Sequence, residues 1–142
     1  MHQIESDYQI VWLVRRLFRA LAQKSGENLQ DLGITVADRA VVEFLHPNEK
    51  LSVPEIAERY QVSRQHVQVT VNRLLDAGLV ESQVNDRHKR SSLMVLTRKG
   101  KSVFQKVKRR DSRVLKELFS SVSEKDKQIT QKTLQSLLAE LK

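Results

Sequence analysis

Three residues separate two helix-forming stretches in the middle of the chain. The first stretch opens with Ser52-x-x-Glu55, a pattern whose side chains can cap the first N–H groups of a helix. The second begins at Ser63, another capping residue, and ends before Gly78, which suits the position after a helix. The pattern predicts a short helix, a tight turn and a second helix over about residues 64–77. Two helices joined in this way form a helix-turn-helix.

The period of the apolar residues changes after Gly78. Residues 79–84 and 92–96 have strand composition, and the polar, basic segment 85–90 lies between them. This pattern predicts a β-hairpin with a basic tip. Because two strands alone are marginally stable, we expect the hairpin to pack against the helices. A basic hairpin directly after a helix-turn-helix makes a winged helix.

The rest of the chain has helical spacing, and only 4 Gly and 2 Pro among 142 residues leave little punctuation for a many-stranded fold. We expect a long first helix over about residues 4–27 and a second helix that starts with the capping box Thr35-x-x-Asp38. A fifth helix follows Thr97, and Ser123 caps the last one. The predicted fold is therefore mainly α with a small β-hairpin, in a single domain over residues 1–142.

The helix over residues 64–77 has one apolar stripe and one polar face. We expect the stripe to anchor it in the core through Val67, Val71, Leu74 and Leu75. On the other face, Arg suits guanine, Gln and Asn suit adenine, and a small apolar residue suits a thymine methyl group. The residues predicted to contact the major groove of double-stranded DNA, including the helix cap, are Ser63, Arg64, Gln65, His66, Gln68, Val69, Asn72 and Arg73.

Positive charge is concentrated after the helix predicted over residues 64–77, which we call the recognition helix. The chain has 25 Lys and Arg against 17 Asp and Glu, and residues 87–116 hold twelve of these bases and one acid. Such a concentration is expected where a polyanion is bound, although a charged run can equally be a solvated helix face. The residues predicted to contact phosphates or a narrow minor groove from the hairpin tip are Arg87, His88, Lys89 and Arg90.

Several other chemistries lack the residues that they need. The absence of Cys excludes disulfides and thiolate chemistry, and the four His residues lie 20 or more positions apart without metal-ligand spacing. The sequence contains no Gly-rich phosphate loop and no HExxH motif. We therefore expect no enzyme activity, no cofactor and no metal. Because the longest apolar run is five residues, we also expect a protein without a membrane partner. The absence of Cys suits a cytoplasmic location.

A ligand-binding group could be formed by Trp12, the neighbouring Arg15 and Arg16, and Asp111, which interrupts the apolar stripe of the fifth helix. The simpler interpretation places Trp12 in the core and Asp111 in a polar contact between helices. We favour the simpler interpretation.

The first and last predicted helices each carry a stripe of bulky apolar residues, among them Tyr8, Phe18, Leu134 and Leu138. A monomeric bundle or a second copy of the chain could cover these stripes. A two-fold dimer would present two recognition helices to half-sites about 34–36 Å apart. The apolar stripes alone leave both a monomeric bundle and a homodimer open.

With these elements in place, the sequence resembles the MarR family of bacterial and archaeal transcription regulators. The resemblance is most specific at residues 51–65 and 71–81, followed by Arg90 and residues 96–100. It implies a winged-helix homodimer that reads a pseudo-palindromic operator, usually as a repressor. It also implies that a small-molecule effector can release the DNA.

The same resemblance implies a division of labour along the chain. Residues of about 1–33 and 101–142 would form the dimerisation helices, and about 34–100 the DNA-binding winged helix-turn-helix. Two positions depart from the family pattern. His88 stands where the wing commonly carries an Asp that pairs with the residue matching Arg90, and Gln61 replaces a turn Gly, which is tolerable if it avoids a left-handed conformation.

The alternative function is a nonspecific architectural or accessory DNA binder, or a winged-helix module for protein interaction. The outward-facing side chains of Gln65, Gln68, Asn72 and Arg73 favour a sequence-specific regulator. A purely electrostatic binder gains nothing from amides at base-reading positions.

Overall fold

The computed structural model describes residues 2–141 and divides into two compact units, one up to Arg109 and one from Arg110 onward. The helices are α1 (His2–Leu29), α2 (Val36–Leu45), α3 (Val53–Tyr60), α4 (Arg64–Asp76), α5 (Arg98–Leu118) and α6 (Glu124–Glu140), with a short 3-10 turn at Gln30–Leu32. The strands are β1 (Leu51–Ser52), β2 (Val80–Gln83) and β3 (Leu93–Leu96). The predicted mainly α fold with a small hairpin is confirmed.

The sheet contains the predicted hairpin and one strand that the sequence did not predict. Strands β2 and β3 pair antiparallel, with Val80 opposite Leu96 and Gln83 opposite Leu93. On the other side of β3, Leu51 pairs with Met94 and Ser52 with Leu93, so the strand order is β1-β3-β2. The short strand β1 ties the entrance of α3 to the hairpin. The hairpin therefore gains support from a third strand as well as from the helices.

The core of the first unit lies among α2, α3, α4 and the sheet. Its most completely buried side chains include Leu45, Ile56, Val67, Val71 and Leu74. The prediction that Leu75 anchors α4 was wrong, because Leu75 is exposed and Thr70 takes the buried position. The Thr70 hydroxyl donates to the carbonyl oxygen of His66 at 3.1 Å, so its burial leaves no donor without a partner.

Side-chain caps define the helices as predicted. Thr35 and Asp38 form a reciprocal capping box at the start of α2, and Ser52 and Glu55 form another at the start of α3. The turn after α3 differs from the expectation, because Gln61 adopts the left-handed conformation with φ 61° and ψ 44°. The backbone N–H of Gln61 donates to the carbonyl oxygen of Ala57, so Gln61 closes the helix as a glycine would.

The long helix α1 is exposed over residues 4–21, including its large apolar side chains. The expectation that Trp12 is a core residue was wrong, because its ring is exposed with the Arg16 guanidinium 4.7 Å from the ring centroid. The helix joins the core near its end, at Leu29. In the second unit, every large apolar residue of α6 is exposed. No helix within residues 2–141 is long and apolar enough to cross a membrane.

Candidate nucleic-acid interface

The polar face predicted for α4 lies on the outside of the helix. Ser63 caps the helix by accepting from the His66 N–H at 3.0 Å. The predicted residues that are exposed on this surface are Arg64, Gln65, His66, Gln68, Val69, Asn72 and Arg73, together with Ser63. The opposite face packs into the core through Val67, Thr70, Val71 and Leu74. This division gives the helix-turn-helix a free outer surface of the predicted composition.

Packing and hydrogen bonding orient three of these side chains. The His66 ring meets the Tyr60 ring of α3 edge-on, with 6.4 Å between the centroids. Gln68 donates from Nε2 to Oδ1 of Asn72 at 2.9 Å. This i to i+4 pair leaves the Gln68 carbonyl oxygen and the Asn72 amide nitrogen available to a partner in solution. The two amides therefore present an acceptor and a donor side by side.

Arg73 differs from its neighbours, because its guanidinium bonds to a residue of another helix. Its Nη2 and Nε atoms donate to Oδ1 of Asp38 on α2, at 3.0 and 3.3 Å. The Asp38 side chain is 8% exposed and that of Arg73 is 49% exposed. This contact was not predicted, since the two residues are 35 positions apart.

The hairpin tip carries the second predicted set of contacts. Arg87, His88, Lys89 and Arg90 are all exposed between β2 and β3. The tip is organised by its own hydrogen bonds. The Arg87 N–H donates to the Asn85 side chain at 3.1 Å, and the Ser91 N–H donates to the His88 carbonyl at 3.0 Å. Neither bond uses the side chain of His88 or of Arg90.

The helix and the wing share one open cleft of about 560 Å³. Arg64, Gln65 and Gln68 line it from α4, and Arg90 lines it from the wing. The structure thus brings the two predicted sets of residues to one surface, with a positive charge from each element. Polar side chains flanked by such charges are suited to a base edge between two phosphates.

Glu55 lies at a neighbouring cleft between the start of α3 and the wing, which Arg87 also lines. The backbone N–H and the hydroxyl of Ser52 both donate to its carboxylate, at 3.1 and 3.0 Å. These hydrogen bonds, with the positive charges of Arg59 and Arg87, lower the pKa of Glu55 below its usual value. Among the side chains that the structure describes, no group of three or more His, Asp or Glu residues could hold a metal ion.

The C-terminal end of α4 is held by the first turn of α5. Gly78 has φ 74°, and the N–H groups of Gly78 and Leu79 donate back to Leu75 and Leu74. The Thr97 hydroxyl then donates to the Gly78 carbonyl at 2.6 Å, and the Lys99 ammonium donates to the Ala77 carbonyl at 2.9 Å. A cation at this end also complements the helix dipole. Sequence reasoning identified Thr97 only as a helix start.

Comparisons with known proteins agree with this geometry. A sequence profile of the MarR family matches residues 32–91. The HTH-type transcriptional repressor MdtR of Bacillus subtilis is 30% identical over 105 residues, which are 74% of this chain and 66% of that protein. The chain belongs to the MarR family.

Solved MarR-family structures share the fold. The transcriptional regulator BldR of Sulfolobus solfataricus superimposes with a TM-score of 0.86 at 20% identity, over 99% of both chains. Staphylococcus aureus MarR, in complex with salicylate and kanamycin, gives a TM-score of 0.85 at 14% identity, over 95% of this chain and 91% of that one. MarR-family proteins are DNA-binding transcription regulators and not enzymes, so the predicted class of function is confirmed.

Proposed function

We propose that this MarR-family regulator is a sequence-specific repressor that acts as a homodimer on a pseudo-palindromic operator. The observation that carries the proposal is the shared cleft, where Arg64, Gln65 and Gln68 of α4 face the same space as Arg90 of the wing. A helix of this polarity fits the major groove, and the wing fits the adjacent phosphates or minor groove.

The side chains divide by the contacts that they suit. Base edges are assigned to Arg64, Gln65, Gln68, Val69 and Asn72, whose exposed groups match the donor, acceptor and methyl patterns of the major groove. Ser63 and His66 begin the helix and are assigned to phosphates. The wing residues Arg87, His88, Lys89 and Arg90 are assigned to the backbone or the minor groove. Arg73 is also exposed on α4, but its guanidinium donates to Asp38 of α2.

The exposed apolar residues of α1 and α6 support the homodimer. Each of these helices, taken by itself, exposes several large apolar side chains, and a soluble monomer usually leaves such residues exposed only singly. We assign residues of about 1–33 and 101–142 to dimerisation and about 34–100 to DNA binding. Two recognition helices would then address two half-sites, which raises affinity beyond that of one helix.

Two further assignments rest on the relatives. The Bacillus subtilis relative is named as a repressor, which supports repression by this chain. The Staphylococcus aureus structure contains salicylate, which supports a small aromatic effector that weakens operator binding. An effector acts only if it binds the DNA-free conformation more tightly than the DNA-bound one.

The test is selection of bound duplexes from a randomised pool at near-physiological salt, with the mass of the selected complex measured by light scattering. We expect an inverted repeat with half-site centres about one helical turn apart, bound by two chains. Failure to enrich any sequence, with binding that disappears as salt rises, would indicate a nonspecific binder instead.

Two variants then separate base reading from charge. Gln65→Ala is expected to weaken operator binding by about 1–3 kcal/mol and to relax preference at one base pair per half-site. Arg90→Ala should weaken binding to all sequences and reduce the salt slope by about one unit. Gln128→Ala, an exposed glutamine on α6 outside the proposed DNA surface, is the matched control. Once light scattering shows that this variant has the same mass as the wild type, it should change neither quantity. Equal losses on operator and random DNA for both test variants would contradict the assignment.

A further inference from the structure

We propose that Asp38 and Arg73 act as a positioning pair that sets the recognition helix, and that Arg73 does not read a base. This inference rests on the proposed DNA-reading function of α4. It assigns a role to a residue outside the DNA surface, Asp38, and changes the role predicted for Arg73 from its sequence position.

The two oxygens of the Asp38 carboxylate serve two different helices. Oδ2 accepts from the Thr35 N–H at 3.0 Å and closes the capping box of α2. Oδ1 accepts from Nη2 and Nε of Arg73, in the last turns of α4, at 3.0 and 3.3 Å. One buried carboxylate therefore joins the start of α2 to the C-terminal half of α4.

The burial of Asp38 explains why Arg73 stays in this contact. A buried carboxylate that loses its cationic partner keeps its desolvation cost without the compensating attraction. If Arg73 turned outward to a base, the Asp38 carboxylate would stay buried without its cationic partner. The contact with a base would have to offset the loss before it contributed any affinity. Arg64, which is also exposed on α4 and lines the shared cleft, carries no such cost in reaching DNA.

The residue next to Asp38 extends the connection to a third helix. The Arg39 guanidinium donates to the hydroxyl of Ser25, a buried residue near the end of α1. Neighbouring residues at the start of α2 thus hold α1 on one side and α4 on the other. The recognition residues Gln65, Gln68 and Asn72 of α4 are therefore linked to α1 through this junction.

The two roles of Arg73 predict different profiles of base preference. A base reader contributes at one base pair, so Arg73→Ala would erase preference at that pair and leave the others. A positioning residue affects every contact of the helix, so its loss lowers preference at all positions of the half-site. We expect Arg73→Ala and Asp38→Asn to give this same general loss, each with about a tenfold rise in operator Kd. The double variant should bind no more weakly than Arg73→Ala.

Two companion variants isolate the pair from its surroundings. Thr35→Ala weakens the α2 cap but keeps Oδ1 of Asp38 on Arg73, so its preference profile should match the wild type. Arg73→Lys keeps a cation for Asp38 and should recover most of the binding lost in Arg73→Ala. The inference is overturned if Arg73→Ala loses one base pair only, or if Asp38→Asn retains the wild-type profile.

A measurement without DNA separates this inference from the proposed function. In urea unfolding, Asp38→Asn and Arg73→Ala should be strongly non-additive, and amide exchange in α4 should be faster in Asp38→Asn than in Thr35→Ala. Additive effects with unchanged exchange would reject the positioning pair whatever the DNA results. Failure of the wild type to select any sequence would reject the proposed function and leave the pair to be judged by unfolding and exchange.

Discussion

At the C-terminal end of α3, Gln61 adopts a left-handed conformation that residues with a Cβ atom rarely tolerate. The strain is local, because the same residue closes the helix by donating to the Ala57 carbonyl. Gln61→Gly should therefore stabilise the protein, by about 0.5–1 kcal/mol after allowing for the greater entropy of glycine in the unfolded chain. Urea unfolding of the variant and the wild type measures the difference.

Gln61→Ala is the control for the loss of the side chain itself. Alanine has the same backbone restriction as glutamine, so this variant should not share the gain. If Gln61→Gly were less stable than the wild type, the amide side chain of Gln61 would have to contribute more than the backbone strain costs.

A second residue-level prediction concerns pH. Because Ser52 and two arginines hold the pKa of Glu55 below its usual value, the unfolded chain takes up a proton first as the pH falls. The stability contributed by the carboxylate is complete above the unfolded pKa of about 4.3 and is lost as pH falls through the folded value. The difference in melting temperature between wild type and Glu55→Gln should therefore shrink as pH falls below about 5. A difference that stays constant with pH would contradict this origin.

The sequence alone was enough to predict the role of some residues and not of others. The caps at Thr35, Ser52 and Ser63 follow from hydroxyl side chains placed before helical spacing, and all three were predictable. On α4, the predicted stripe included the apolar Leu75, whereas the buried residues are Val67, Thr70, Val71 and Leu74. The structure buries Thr70 because its hydroxyl is satisfied within its own helix. The Thr70 bond is local, because a threonine in a helix can donate to the carbonyl four residues earlier. The Asp38 contact of Arg73 was not predictable, because it joins two helices 35 positions apart.

At the scale of elements, the helices and the hairpin were predictable and the strand β1 was not. Two residues are too few to show a period, and Ser52 already has a clear role as the cap of α3. Its pairing with β3 depends on the folded position of the hairpin. The contact between the first turn of α5 and the end of α4 was also not predictable, because it joins two elements on either side of the wing.

Gly100 makes that contact possible. A Cβ atom there would overlap the carbonyl oxygen of Leu79, which is itself fixed by accepting from the Thr97 N–H at 3.0 Å. Gly100→Ala should lower the free energy of unfolding by about 2 kcal/mol or more, because neither backbone segment can move freely. It should also weaken operator binding, since the start of α5 holds the end of α4.

Gly26→Ala on α1 is the matched control. Its Cβ atom would lie 3.6 Å from Cγ2 of Val36, an ordinary van der Waals distance, and alanine favours the helix. This variant should be neutral or more stable by up to about 1 kcal/mol. Similar losses in both variants, measured by thermal or urea unfolding, would show that the Leu79 contact is not the cause.

At the scale of the whole molecule, amphipathic spacing correctly predicted long first and last helices but could not decide what covers their apolar residues. The described chain leaves much of this surface exposed on α1 and, separately, on α6. Exposed apolar area costs solvation free energy that association recovers, at about 25 cal/mol per Å² of apolar surface removed from water. A second copy of the chain is the occupant that the proposed operator symmetry also requires.

Charge substitutions on these helices test that conclusion. Phe18 on α1 and Leu138 on α6 are 72% and 64% exposed, whereas Val84 at the base of the wing is 77% exposed. If Phe18, Leu138 and Val84 all faced solvent, a glutamate would be tolerated equally at each of these positions. If α1 and α6 meet a second chain, Phe18→Glu and Leu138→Glu bury a charge without a partner and should shift the protein towards monomer at micromolar concentration. The Val84→Glu variant should remain dimeric by light scattering.

Because a monomer addresses one half-site, the two dissociating variants should also lose the preference for an inverted repeat while keeping the preference for a single half-site. A mass equal to that of the wild type in both variants would place the partner surface elsewhere on the chain.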